Sequence, residues 1–328
     1  MRKATGRRHA VAALLLAAAA AAQGQCKFKR IATIPVEWRD NRLTLDGSIN
    51  GTPLRMTVDT GAMQTVVSGA LSERLKLTPA HVNNAQLGLG GRSEMSMARL
   101  EEFSLGRFQW NRMKVAIVWQ SRGLPDVLVG APLLFARDVE LTDKSIAYYE
   151  AEGCDDAPLG YWADDVPWLP TAPSRGEDQR VSVTVKVNGV PVRALVDSGA
   201  PASLLDASVA RRLGVHPEDP ALVVGHMYGI GEHKSPMSVM TLDRVEIGPE
   251  IVRKARIQVA DMWGSIRADT LPSERGDIQS DADLMILGAD FIRAHHLLFA
   301  TSQRRLYFSY LGGEVFSAPK PRGAASAP

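Results

Sequence analysis

Strict alternation of apolar and polar residues over Val181-Ser182-Val183-Thr184-Val185-Lys186-Val187 predicts a half-buried β-strand, because successive strand side chains face opposite sides. Asn188-Gly189 follows at once, a dipeptide favoured in tight hairpin turns. Other apolar stretches are short and unbroken. Val127-Leu128-Val129 and Met285-Ile286-Leu287 each end at a glycine, which predicts buried strands. Helical signals are few. Ser68 and Asp206 stand as N-caps before short helices expected near 69–75 and 207–213, the second ended by Gly214. One more short helix is expected after Gly130 and another after Gly288. The chain therefore reads as mostly β. From Glu150 to Gln179 it becomes acidic and proline-rich, marking 151–178 as a linker, and Gly312 to Pro328 reads as a disordered tail.

The pattern occurs twice. Asn50-Gly51-Thr52-Pro53-Leu54-Arg55-Met56-Thr57-Val58-Asp59-Thr60-Gly61-Ala62 returns as Asn188-Gly189-Val190-Pro191-Val192-Arg193-Ala194-Leu195-Val196-Asp197-Ser198-Gly199-Ala200. Three later blocks follow in the same order. Leu87-Gly88-Leu89-Gly90-Gly91 answers Tyr228-Gly229-Ile230-Gly231-Glu232, Phe103–Gly106 answers Val245–Gly248, and Val127–Ala131 answers Met285–Ala289. Four matched blocks make a duplicated lobe. The offset grows along the chain, so the second lobe carries an insertion, expected within Met262 to Asp283. The lobes are expected at 26–150 and 179–311.

Charge and targeting alter this picture at one end only. Arg2, Lys3, Arg7 and Arg8 precede an uncharged run from Ala10 to Ala22, too short for a membrane span and laid out as a secretory signal over 1–25. The residues after Arg7-Arg8 fit a twin-arginine signal poorly, so ordinary export to the periplasm or medium is expected. Without the signal, Lys+Arg falls from 38 to 34 against 36 Asp+Glu, a net charge of about −2, which removes any basic nucleic-acid footprint. The two cysteines, Cys26 and Cys154, allow a disulfide, two free thiols or a lipidated Cys26. Gln25, where a lipobox needs a small residue, argues against the last.

One aspartate at a strand end would read as a turn carboxylate capping amides. Two in identical settings suggest a pseudo-twofold that brings them together. Paired carboxyls cannot easily both ionise, so they share a proton and can act on one water as base and acid. Gly61 and Gly199 permit sharp turns whose amides can face the carboxyls, and Thr60 and Ser198 can bond across the lobe boundary. On these residues, the glycine-rich hairpins and the apolar-apolar-glycine elements Val129-Gly130 and Leu287-Gly288, the sequence resembles the retropepsin-like and pepsin-like aspartic proteases. The resemblance covers about 30–150 and 179–311.

It implies duplicated acid-protease lobes with the active site in the interlobe cleft. It further implies an endopeptidase with Asp59 and Asp197 as the dyad, Thr60 and Ser198 as the grip, and no metal or cofactor. Gly90 and Gly91, then Tyr228 and Gly229, are the implied flap residues, the second flap being the better candidate to position substrate. Peptide or protein is the implied substrate, and a monomer suffices because one chain supplies both halves. Ala62 and Ala200 depart from the hydroxyl residue usual in pepsin-like enzymes, which predicts a less acidic pH optimum. Cys26 to Arg30 is too short to serve as a blocking pro-segment. The competing class is a non-catalytic peptide- or protein-binding module on the same fold.

Other motifs weigh less. Gly88, Gly90 and Gly91 lack phosphate-loop spacing. His226, His233, His295 and His296 lack metal spacing, and adjacent His295 and His296 should face opposite sides of a strand. Met95, Met97, Met237 and Met240 are expected to pack in strands, with an adaptable subsite lining as the functional version.

Overall fold

A computed structural model describes residues 26–316, apart from 90, 120–122, 173–177, 220–221, 231–232 and 265–283, with backbone only at 81–88 and 92. The expected signal 1–25, Gly90 and most of the expected insertion lie outside the described residues. The N-terminal lobe begins with β1 (Lys27–Pro35), β2 (Glu37–Arg39), β3 (Arg42–Ile49) and β4 (Thr52–Asp59). It continues with β5 (Val66–Ser68), α1 (Gly69–Arg74), β6 (Ala80–Gly88), β7 (Gly91–Leu105), β8 (Phe108–Val118), β9 (Val127–Gly130) and α2 (Ala131–Leu134). The strands β10 (Asp138–Leu141) and β11 (Ser145–Glu152) close it, and β12 (Trp168–Pro170) lies in the linker.

The C-terminal lobe repeats the plan with β13 (Ser182–Val187), β14 (Val190–Val196), β15 (Leu204–Asp206), α3 (Ala207–Arg212), β16 (Val223–Met227) and β17 (Ser235–Ile247). It ends with β18 (Glu250–Ala260), β19 (Met285–Leu287), α4 (Ala289–Arg293), β20 (His295–Ala300) and β21 (Arg305–Tyr310). All four expected helices are present, each at its expected place. Ser68 Oγ accepts from Leu71 N at 3.1 Å, and Asp206 Oδ1 accepts from Ser208 N at 2.9 Å, so both caps act as their residue types suggest.

Strand order states the duplication in space. The first lobe runs β2-β3-β4-β9-β5-β8-β7-β6 and the second β13-β14-β19-β15-β18-β17-β16, identical apart from the extra β2. Each sheet bends until its next-to-last strand meets β3 or the equivalent β13, β7 pairing with β3 and β17 with β13. Strands β9 and β19 are wholly buried, which explains their unbroken apolar runs. Equivalent strand partners Val118 and Ala260 are 142 apart in sequence, whereas β9 and β19 are 158 apart. The extra length therefore falls between Ala260 and Met285.

A third sheet, β1-β11-β10-β20-β21-β12, joins the lobes. In its middle Glu140 pairs with Leu298, its own equivalent at the offset of 158, so the pseudo-twofold axis passes through that pair. The Glu140 carboxylate is bound by His296 Nε2 at 2.6 Å, Tyr149 OH at 2.5 Å and Tyr161 OH at 2.7 Å. Burial alone would raise its pKa, but those donors outweigh burial and hold it below the usual value. His295, the neighbour, faces the other way and meets Glu250 at 2.9 Å.

Two segments pack more closely than their composition suggests. The linker is built into the fold: Cys154, Leu159 and Val166 form a small buried cluster with Leu298 and Tyr307, and Cys154 is disulfide-bonded to Cys26. Its acidic, proline-rich composition concealed these few apolar anchors. The segment from 312 is not all tail either, since Val315 and Phe316 are buried in the main core. Two apolar residues among glycines give no periodicity to read.

Candidate active site

Strand β4 delivers Asp59 and β14 delivers Asp197 to the floor of the interlobe cleft. Each strand is held by a parallel neighbour, with Asp59 opposite Gly130 in β9 and Val196 opposite Leu287 in β19. Gly130 and Gly288 pass close beneath the aspartate loops. A Cβ on either would collide with the backbone of Gln64–Thr65 or Ala202–Ser203, so no larger residue fits. Ala131 N donates to Ala62 O and Ala289 N to Ala200 O, both at 2.9 Å, pinning the loops in equivalent ways.

The two loops then lock to each other. Thr60 Oγ1 donates to Val196 O at 2.7 Å and accepts from Ser198 N at 2.9 Å. Ser198 Oγ donates to Val58 O at 2.7 Å and accepts from Thr60 N at 3.1 Å. Both side chains are buried, so each hydroxyl has exchanged water for these partners, and losing one would strand buried backbone groups. This reciprocal lattice fixes the distance between lobes where it matters most.

Above the lattice the carboxyls face each other across the axis. Gly61 N donates to Asp59 Oδ1 at 3.1 Å and Gly199 N to Asp197 Oδ1 at 2.8 Å. A Cβ on Gly199 would come within 2.5 Å of Asp59 Cγ, and one on Gly61 would overlap the Asp197 carboxyl. Each carboxyl therefore lies over the glycine of the opposite loop. Burial raises the Asp59 pKa well above the ordinary value, and the Asp197 carboxyl beside it raises it further. Burial also raises Asp197, against the opposing pull of the Gly199 amide. A pair so placed keeps one proton between two carboxyls and titrates as a unit.

A cavity of about 510 Å³ opens over the pair. Its walls are largely apolar, including Met63, Leu124, Leu128, Leu204, Met237, Met262 and Ile286. Both hairpins reach it. Leu89, at the β6–β7 tip, packs on the second lobe's Leu204, Met227, Met262 and Ile286. Ile230, at the β16–β17 tip, packs on the first lobe's Val66, Ala116, Val118 and Leu128. The hairpin tips thus cross the cleft in both directions. Tyr228 and Gly229 line the cavity, with Tyr228 58% exposed, whereas Gly91 opens β7 and is absent from the lining. Of the four methionines singled out, Met237 lines the cavity, Met95 and Met97 flank the cluster under Ile230, and Met240 belongs to the core.

Arg42, Arg180 and His226 also line the cavity. The sequence reading passed over both arginines, although the signal was there: they stand eight residues before Asn50 and Asn188, just upstream of the aligned block. Among the described residues no group of three or more His, Cys, Asp or Glu is arranged to hold a metal ion, and no helix is long and apolar enough to cross a membrane.

A family model described as aspartyl protease matches residues 45–133 and, again, 183–291. The two matches fall on the two lobes and each includes one Asp-Thr/Ser-Gly loop. No curated protein matches the chain.

Proposed function

The chain belongs to the aspartyl protease family, and from that premise we propose that it is an endopeptidase in which Asp59 and Asp197 together activate water against a peptide bond. The observation that carries this reading is the mutual placement of two buried carboxyls, each over the other lobe's glycine. In the reaction, the ionised carboxyl takes a proton from water as its oxygen attacks the carbonyl carbon. The protonated carboxyl donates to the carbonyl oxygen. Collapse of the resulting diol returns a proton to the departing amine, and both carboxyls end as they began. Positional rigidity from Thr60 and Ser198 keeps the carboxyls in register with the substrate.

The cleft supports an extended peptide as substrate, its side chains meeting the apolar walls while the hairpin tips cover it. Ala62 and Ala200 place no hydroxyl beside the carboxyls, and burial raises both, so activity centres at less acidic pH than in pepsin-like enzymes. One chain supplies both carboxyls, so a monomer is sufficient. The basic, then apolar, N-terminus supports export, and N-terminal sequencing of the protein recovered outside the cytoplasm checks it.

Cleavage profiling of a mixed peptide library across pH 3–8 tests the reading, with wild type and Asp197→Asn side by side. Wild type is expected to cleave, with Asp197→Asn and Asp59→Asn losing roughly 10³-fold or more while retaining the native circular dichroism spectrum. A separate pH–activity profile extended down to pH 2 and peaking at pH 2–3 would overturn the pH assignment. Absence of cleavage by wild type would instead favour a peptide-binding module.

A further inference from the structure

Arg42 and Arg180 occupy the same place in the two lobes, each seventeen residues ahead of its aspartate, and both line the cavity above the carboxyl pair. Each follows an aspartate by two residues, Asp40 in one lobe and Asp178 in the other. The structure treats them differently. Asp178 Oδ1 accepts from Arg180 N at 3.0 Å and from Nε at 2.9 Å, while Oδ2 accepts from Nη2 at 2.8 Å. The second arginine is thus matched by a two-oxygen clamp.

In the first lobe, Asp40 and Asn41 form the turn between β2 and β3, with φ of 49° and 56°. Among the described residues Arg42 makes no ion pair, and its hydrogen bond is a long one of 3.5 Å to Gly123 O. Apart from the carboxyl pair, the ionisable side chains lining the cavity among the described residues include two arginines, Arg42 and Arg180, and no further carboxylate. The pair itself, holding one proton, carries one negative charge. Arg180 has its own carboxylate. Among the described residues, Arg42 is thus the cavity-lining arginine with no carboxylate bound to its guanidinium.

We propose that Arg42 is a specificity-determining residue that receives a carboxylate of the bound peptide, so that this cleft selects chains bearing Asp or Glu away from the scissile bond. The planar guanidinium offers paired donors to a carboxylate, and the apolar surroundings strengthen that contact relative to open water. The opposite lobe shows the geometry in miniature, with Asp178 doing for Arg180 what a substrate carboxylate does for Arg42. The inference rests on the peptide reading of the cleft, and its test is independent of catalysis.

The test measures equilibrium binding by fluorescence anisotropy to the full chain carrying Asp197→Asn. The probes are labelled nonapeptides with a central Leu-Phe, in which Asp or Lys is moved through the other positions, with free or amidated C-termini. Asp is expected to bind about 10-fold tighter than Lys at one position, with the preference weakening as salt rises. Adding Arg42→Gln should reduce that ratio to within about twofold, Arg42→Lys should preserve part of it, and Arg42→Glu should invert it. Arg42 is partly exposed, so these variants are expected to fold, which their thermal midpoints check. If only free C-termini show the preference, the carboxylate received is the terminal one and the side-chain assignment falls. The proposal is also overturned if no probe binds, if charge makes no difference at any position, or if the preference survives Arg42→Glu. Cleavage without charge preference leaves the protease reading standing and removes this one. Charge-selective binding through Arg42 without cleavage by wild type does the reverse.

Discussion

The two lobes share strand order, aspartate loop and threading glycine, yet they are not interchangeable. At the axis they are nearly identical: Thr60 and Ser198 make the same four bonds in exchange, and Gly61 and Gly199 lie under each other's carboxyl. Away from the axis they diverge. The first hairpin tip brings an aliphatic Leu89, the second Tyr228 and Ile230. Thr65 Oγ1 alone supports Gly130 N at 3.2 Å, whereas Ser203 supports Gly288 N at 3.0 Å and is itself tied to Asp290 at 2.6 Å. Arg180 is clamped by Asp178, while Arg42 is left to the cleft. Symmetry holds where the two carboxyls face each other. It is relaxed where the surroundings need only hold a lobe together or choose a ligand.

Substituting the two glycines is the harshest probe of that symmetry. Gly61→Ala drives a methyl into the Asp197 carboxyl and Gly199→Ala drives one into Asp59, so each should cut kcat by about 10²-fold or more through misplaced carboxyls. Steady-state kinetics on one peptide checks this. Unequal losses, beyond roughly tenfold, would show that one carboxyl tolerates displacement and that the centre is functionally asymmetric.

The helix caps sharpen the divergence. Ser68 bonds the Leu71 amide, and Ser68→Ala should cost about 1 kcal/mol, a typical capping value. Asp206 is 2% exposed and accepts from both Ser208 N and Met262 N, the latter at 3.0 Å. Asp206→Ala strands one buried and one part-buried donor and should cost about 2–3 kcal/mol. Denaturant titration of both variants decides; equal costs would mean that the Met262 contact adds nothing.

The gentlest probe is pH. Burial raises both carboxyls of the pair, so the folded chain binds protons that the unfolded chain has released. Stability from this source is complete below the ordinary carboxylate pKa and declines as pH rises through the raised one. Asp197→Asn removes one buried acid and should raise the thermal midpoint at pH 7 by a few degrees, with the gain vanishing towards pH 4. Asp59→Asn should behave alike. A loss at pH 7 from either would contradict the shared-proton description.

Much of this was legible beforehand. The duplicated Asp-Thr/Ser-Gly-Ala blocks, the apolar runs ending in glycine and the cap residues located the carboxyl loops, the threading strands and all four helices. The linker and the end of the chain were less legible. Cys154, Leu159, Val166, Val315 and Phe316 are isolated apolar positions among acidic, proline or glycine residues, and isolated positions have no period to detect. The arginines of the cleft were hidden for another reason: Arg42 and Arg180 repeat on schedule, but repetition does not say which way a side chain faces or what neutralises it.

What the sequence determined by itself was local and periodic: strand faces, turns, caps and the existence of two equivalent halves. These follow from backbone geometry and side-chain alternation within a few residues. What only the tertiary structure decided was every relation across the axis. Asp59 over Gly199, Leu89 and Ile230 on opposite lobes, Glu140 beside His296, and Arg42 without the partner that Arg180 has all join residues more than a hundred positions apart or depend on how equivalent segments turn. Burial and charge act through distance in space, and folding alone sets that distance.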